Sequence, residues 1–111
     1  MDEMRVKPTG PEHDKAGQAV EDVAADAAVL LDVRSDEEWV VGHAKGATHW
    51  ELARLEAGEL PDIPKDARVY VYCAVGGRAQ VAKEILIQND WNDVTNIGGL
   101  EDWENAGGEV E

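Results

Sequence analysis

Apolar and polar positions along this chain alternate between compact apolar runs and stretches with helical spacing. Residues 28–33 and 68–72 are short runs rich in Val, Leu and Tyr. Runs of that kind mark strands buried on both faces of a parallel sheet. Residues 47–50 and 94–97 read as two further strands. Between the strands, Ala16, Val20, Val23 and Ala24 fall at helical spacing and predict a helix over 11–26. Ser35-Asp-Glu-Glu38 is a capping box that opens a helix running to about Val41, with Gly42 as its stop. Residues 51–56 predict a short helix ended by Gly58. Residues 78–89 predict a longer one, with Ala79, Ala82, Ile85 and Leu86 on its apolar face. A last helix is expected over 100–106, closed by Gly107-Gly108. Pro61 and Pro64 make 60–67 a loop, and Met4-Arg-Val6 suits a short edge strand. Strands alternating with helices predict an α/β fold, with a mainly parallel sheet of about five strands and helices on both faces.

At 111 residues the chain fits one domain. One cysteine excludes an intrachain disulfide and a multi-cysteine metal site, and no ligand spacing involves His13 or His49. Neither a metal nor an organic cofactor is expected. The first residues carry Asp2 and Glu3 rather than a basic region followed by an apolar core, and no run approaches a membrane span. A cytoplasmic protein is the expectation. Acidic residues outnumber basic ones by 24 to 10, a formal net charge of −14. That balance argues against nucleic acid and anionic membranes as partners. Adaptation to high salt and an ordinary acidic composition both account for it.

The stretch from Val69 to Ala79 carries the candidate chemistry. A β-favouring run ends in Cys73; Gly76, Gly77 and Arg78 follow, and then a helical pattern begins. Ligands of open parallel sheets bind beyond the carboxyl ends of the strands. A helix start adds unpaired N–H groups and a positive dipole end. A cysteine placed there can have its pKa lowered, and the thiolate is the reactive form. Glycines let the loop amides turn inward as an anion cradle. A buried structural cysteine beside a glycine turn is the plainer alternative.

These residues resemble the rhodanese (sulfurtransferase) family. Its active loop begins with cysteine, often has glycine in fourth place and closes with arginine in sixth, as Cys73, Gly76 and Arg78 do. Leu31-Asp32-Val33-Arg34, then Glu38-Trp39, Gly42-His43 and Gly46-Ala47, and finally Gly98-Gly99-Leu100 with Trp103, are similar to further family motifs in the same order. The resemblance covers about residues 29–108. It implies the same α/β architecture and a single-domain, thiosulfate-type sulfurtransferase. Cys73 would take a sulfane sulfur as a persulfide. The amides of Ala74, Val75, Gly76, Gly77 and Arg78 would hold the terminal sulfur, and the Arg78 fork would bind the anionic end of the donor. Cyanide or a thiol, of a small molecule or of a protein, would accept the sulfur. A non-catalytic sulfur carrier for a protein partner is the alternative. Phosphatase or arsenate reductase chemistry is a further rival. The resemblance implies that those enzymes have one more loop residue than the four between Cys73 and Arg78. Val75 would suit a soft sulfur if it pointed inward.

Asp32 and Arg34 are supporting candidates, either orienting a loop arginine or pairing with each other. His43 reads as structural, and the four tryptophans as core and rim packing. A negative protein would repel an anionic donor, so the local field at the loop is expected to be positive, with Arg78 and the loop amides as its source.

Overall fold

The computed structural model describes residues 10–111. The edge strand expected at 4–6 lies outside the described residues. Strands β1 (Val29–Asp32), β2 (Ala47–His49), β3 (Arg68–Cys73) and β4 (Asp93–Gly99) form one sheet in the order β2-β1-β3-β4. All three pairings are parallel. The sheet thus has four strands among the described residues rather than about five.

The helices are α1 (Ala16–Ala24), α2 (Asp36–Val41), α3 (Leu52–Glu56), α4 (Gly77–Gln88) and α5 (Leu100–Asn105). Successive side chains of a strand point to opposite faces. Leu31, Val69 and Val71 therefore pack on one side with Leu55, Ala82 and Leu86 of α3 and α4. Leu30, Tyr70 and Tyr72 pack on the other with Ala16 and Ala19 of α1 and Trp103 of α5. Both sheet faces are covered, which is why the strand sequences are continuously apolar instead of alternating.

The helix expected over 11–26 is shorter than its spacing suggested. Its first residues form a strap across the end of β4, followed by a 3-10 turn at His13–Lys15. The Glu12 N–H donates to the Asn96 carbonyl at 2.7 Å. Lys83 reaches the Glu12 carboxylate at 3.7 Å. This tether buries Lys83 beside Ala79, Ala82 and Leu86, while Ile85 is only partly covered. A lysine stem can cover apolar surface while its ammonium finds a carboxylate. Among the described residues no helix is long and apolar enough to cross a membrane.

The β3–β4 register shifts between Val71 and Cys73, so that Cys73 stands opposite Gly99. This places the two glycine-bearing turns of the sequence side by side at the carboxyl edge of the sheet.

Candidate active site

Cys73 is the last residue of β3 and is buried. Its Sγ accepts the Gly76 N–H at 3.0 Å. Gly76 is the N-cap of α4 and adopts φ 116°, a left-handed conformation that favours glycine. A side chain there would also collide with Pro11 of the strap. The first intrahelical bond of α4 runs from the Gln80 N–H to the Gly76 carbonyl. The amides of Gly77, Arg78 and Ala79 therefore have no acceptor within the helix. The loop brings a sulfur atom, a donated N–H and an open helix start into one place, as the sequence pattern suggested.

Gly99 explains why the second glycine pair is part of the same site. A Cβ at Gly99 would run into the Ala74 carbonyl oxygen, so β4 can pass beneath the loop only without a side chain there. Asn96 is fully buried in β4 and pins the loop from below. Its Nδ2 donates to the Gly76 carbonyl at 3.0 Å and to Gln80 Oε1 at 3.1 Å, and its Oδ1 accepts the Gly98 N–H at 2.9 Å. This residue was not among those singled out from the sequence. The available signal was an amide side chain within the expected strand Val94-Thr-Asn-Ile97.

Arg78 is the second residue of α4 and is held by α2. Its Nη1 donates to Glu38 Oε1 at 2.6 Å and its Nη2 to Glu38 Oε2 at 2.9 Å, a two-armed pair. Glu38 is fixed in turn by the expected capping box. Its Oε1 accepts the Ser35 N–H at 3.1 Å, and its own N–H donates to Ser35 Oγ at 3.3 Å. The Arg78 bond, helped by the bonds from Ser35 and opposed by burial, holds the Glu38 carboxyl down at about 2. The Glu38 bond raises Arg78 above its ordinary value, and burial opposes it. Arg78 thus joins the start of α4, next to the Cys73 loop, to the Glu38 carboxylate of α2. Of the two expected sources of positive field, Arg78 and the loop amides, Arg78 is offset by the paired Glu38 carboxylate. An open groove of ≈ 500 Å³ beside this pair is lined by Arg34, Glu37, Glu38, Val41, Leu100 and Val110.

Asp32 and Arg34 come together, but not at the sulfur. Arg34 Nη2 donates to Asp32 Oδ2 at 2.7 Å and to the Gly42 carbonyl at 2.6 Å. Tyr72 Oη donates to Asp32 Oδ2 at 2.5 Å and accepts the Ala44 N–H at 3.0 Å. Burial first, and the Asp32 bond second, push the Tyr72 hydroxyl well above the ordinary tyrosine range. This network ties β1, β3 and the turn after α2 together, so Asp32 and Arg34 position α2 and, through it, Glu38. Val75 is 78% exposed, so its side chain turns outward rather than into the cradle. His43 donates from Nδ1 to the Trp39 carbonyl at 2.9 Å and stacks on the Trp39 ring at 3.5 Å, which agrees with a structural role.

Comparison with known proteins agrees with this geometry. The family model for the rhodanese-like domain matches residues 14–106. A thiosulfate sulfurtransferase of Escherichia coli strain K12 is 37% identical over 73 residues, covering 65% of this chain and 70% of that protein. An adenylyltransferase and sulfurtransferase of Ogataea parapolymorpha is 33% identical over 87 residues; the match covers 77% of this chain but only 22% of that protein. Among solved structures, a rhodanese-related protein of Thermoplasma volcanium has a TM-score of 0.74 at 28% identity, covering 86% of this chain and 93% of that one. A rhodanese-like domain from Anabaena has a TM-score of 0.70 at 29% identity, covering 77% of this chain and 99% of that one. The family model spans most of the chain, and the chain belongs to the rhodanese-like domain family.

Proposed function

We propose that the protein is a sulfurtransferase that carries a sulfane sulfur on Cys73, from thiosulfate or a similar donor to cyanide or a thiol. The observation that carries this reading is the placement of Cys73 Sγ against the Gly76 N–H at the open start of α4, with Arg78 beside it. The Cys73 thiolate attacks the outer sulfur of the donor. With thiosulfate, a new S–S bond forms to Cys73, the S–S bond of the donor breaks, and sulfite leaves with the bonding electron pair. The terminal persulfide sulfur carries the negative charge, and the amides of the loop and of the first turn of α4 stabilise it as an oxyanion hole stabilises developing charge. Cyanide or a thiolate then attacks that terminal sulfur and releases the Cys73 thiolate, a covalent two-step cycle. None of these steps calls for a metal or a redox cofactor. The names of two relatives support the reading, the Escherichia coli protein and a thiosulfate sulfurtransferase of Pseudomonas entomophila, 32% identical over 80 residues.

The test is intact mass after incubation with thiosulfate, followed by cyanide. A gain of one sulfur atom, released as thiocyanate and absent in Cys73→Ser, is expected. Thiocyanate turnover that survives in Cys73→Ser overturns the mechanism.

Transfer to a protein partner is a second reading, favoured by the exposed Val75 on the loop and Val41 on α2. Turnover with small thiols separates the enzyme from a carrier that transfers only to its partner.

A further inference from the structure

The Arg78 fork is already occupied. Both terminal nitrogens donate to the Glu38 carboxylate, and the capping box keeps that carboxylate in place from the other side. Arg34, which lies away from the sulfur, is likewise paired with Asp32, and Glu37 adds another carboxylate to the wall of the groove beside Glu38. A donor that brings an oxyanion group to Cys73 therefore meets a guanidinium already paired with a carboxylate rather than a free cation. Thiosulfate is such a donor: its sulfonate end carries charge that a planar guanidinium would otherwise grip with two bonds.

Resting on the sulfurtransferase reading above, we infer that Glu38 is a specificity-determining residue which turns the site away from oxyanion donors and toward persulfides of organic thiols. A persulfide R–S–SH presents its terminal sulfur to Cys73 with no sulfonate to neutralise. The Cys73 thiolate bonds to that sulfur, the donor S–S bond breaks, and the thiol leaves as RS⁻. The proton stays on the new Cys73 persulfide or passes to RS⁻. Charge and atoms balance without any group that must be held by Arg78. Glu38 touches neither sulfur; it acts through Arg78, as a positioning residue. The pair is partly open to solvent, with the Arg78 and Glu38 side chains 38% and 34% exposed. An oxyanion can therefore reach the guanidinium, but it does so in competition with a carboxylate that the chain supplies.

The experiment compares kcat/KM for thiosulfate and for cysteine persulfide in the wild type and in Glu38→Gln. Glutamine keeps the shape and the carbonyl acceptor for Ser35 and Arg78 but removes the charge. The thiosulfate-to-persulfide ratio is expected to rise about tenfold, the size of one nearby charge largely screened by water, and to rise through a lower KM for thiosulfate. A structural role alone would depress both donors together. An unchanged ratio, with Cys73 still gaining sulfur from both donors, overturns this inference and leaves the sulfurtransferase reading standing. No sulfur on Cys73 from either donor overturns both. A second measurement needs no variant. In the wild type, millimolar sulfate is expected to leave the rate of Cys73 alkylation by iodoacetamide unchanged, because Arg78 is already paired. Protection of Cys73 by sulfate in that range overturns the inference.

Discussion

Arg78 and Asn96 show how single residues set this site, and each supports a prediction. Replacing Arg78 by alanine removes the cation beside Cys73 and leaves Glu38 facing the cradle alone. The kcat/KM for thiosulfate is expected to fall by about tenfold or more, because the Glu38 carboxylate, no longer paired, then repels the anionic donor. Lysine restores only part, because a point charge cannot serve Glu38 with two parallel bonds. Steady-state kinetics check this, and parent-like values in Arg78→Ala would remove Arg78 from the site. Asn96→Ala takes the acceptor from the buried Gly98 N–H and one of two donors from the Gly76 carbonyl, which keeps the Gln80 N–H. Unsatisfied buried groups make it cost about 1–3 kcal/mol in urea unfolding. Sulfur loading of Cys73 is expected to slow in the folded variant as well, because the loop loses its anchor. Full stability together with parent-like loading would contradict the role given to Asn96. Arg78 was legible in the sequence because it falls at a fixed distance from Cys73 on one stretch of chain. Asn96 was not, because its partners Gly76 and Gln80 lie 20 and 16 residues away.

At the scale of elements, the loop from Cys73 to Gly77 sets the radius of the amide cradle. A persulfide adds one sulfur beyond Cys73, which a small ring can surround. A tetrahedral phosphate directs oxygens several ways and needs a wider one. The unmodified protein is therefore expected to move sulfur and to leave an aryl phosphate unhydrolysed. One glycine inserted between Val75 and Gly76 is expected to depress sulfur transfer, since the new residue displaces Gly76 from both Asn96 and the sulfur. Phosphatase activity in the parent that vanishes in Cys73→Ser would overturn the assignment. The outward Val75 plays no part in this argument: its residue type was visible in the sequence, its direction was not. Short elements such as α2 were legible because a capping box is local. The strap before α1 was not, since helical spacing cannot reveal that Glu12 has a better partner in β4.

For the whole molecule, the net charge of −14 is the dominant property. Much of the positive charge is already paired: Arg54 with Glu59, Arg68 with Asp22 and Asp93, Lys45 with Glu109. These pairs are largely exposed and each is worth little. Salt is therefore expected to stabilise the fold, because screening general repulsion outweighs loosening such pairs. Urea midpoints should rise from low to moderate sodium chloride. A flat or falling trend would remove the high-salt explanation of the composition.

The sequence by itself determined the α/β class, the order of strands and helices, and the loop from Cys73 to Arg78. Each of these depends on periodicity, capping or spacing within one stretch of chain, and local interactions of that kind are written in consecutive residues. Tertiary structure decided which distant groups meet. It placed Gly99 under Ala74, Asn96 under Gly76, and Glu38 of α2 on Arg78 of α4. The residue types at those positions were plain, but their roles follow from sheet order and register, which bring separate stretches within hydrogen-bond distance. For the same reason the charge on Arg78 read from the sequence as a free anion site, and only the packing of α2 against the loop showed that its fork was taken.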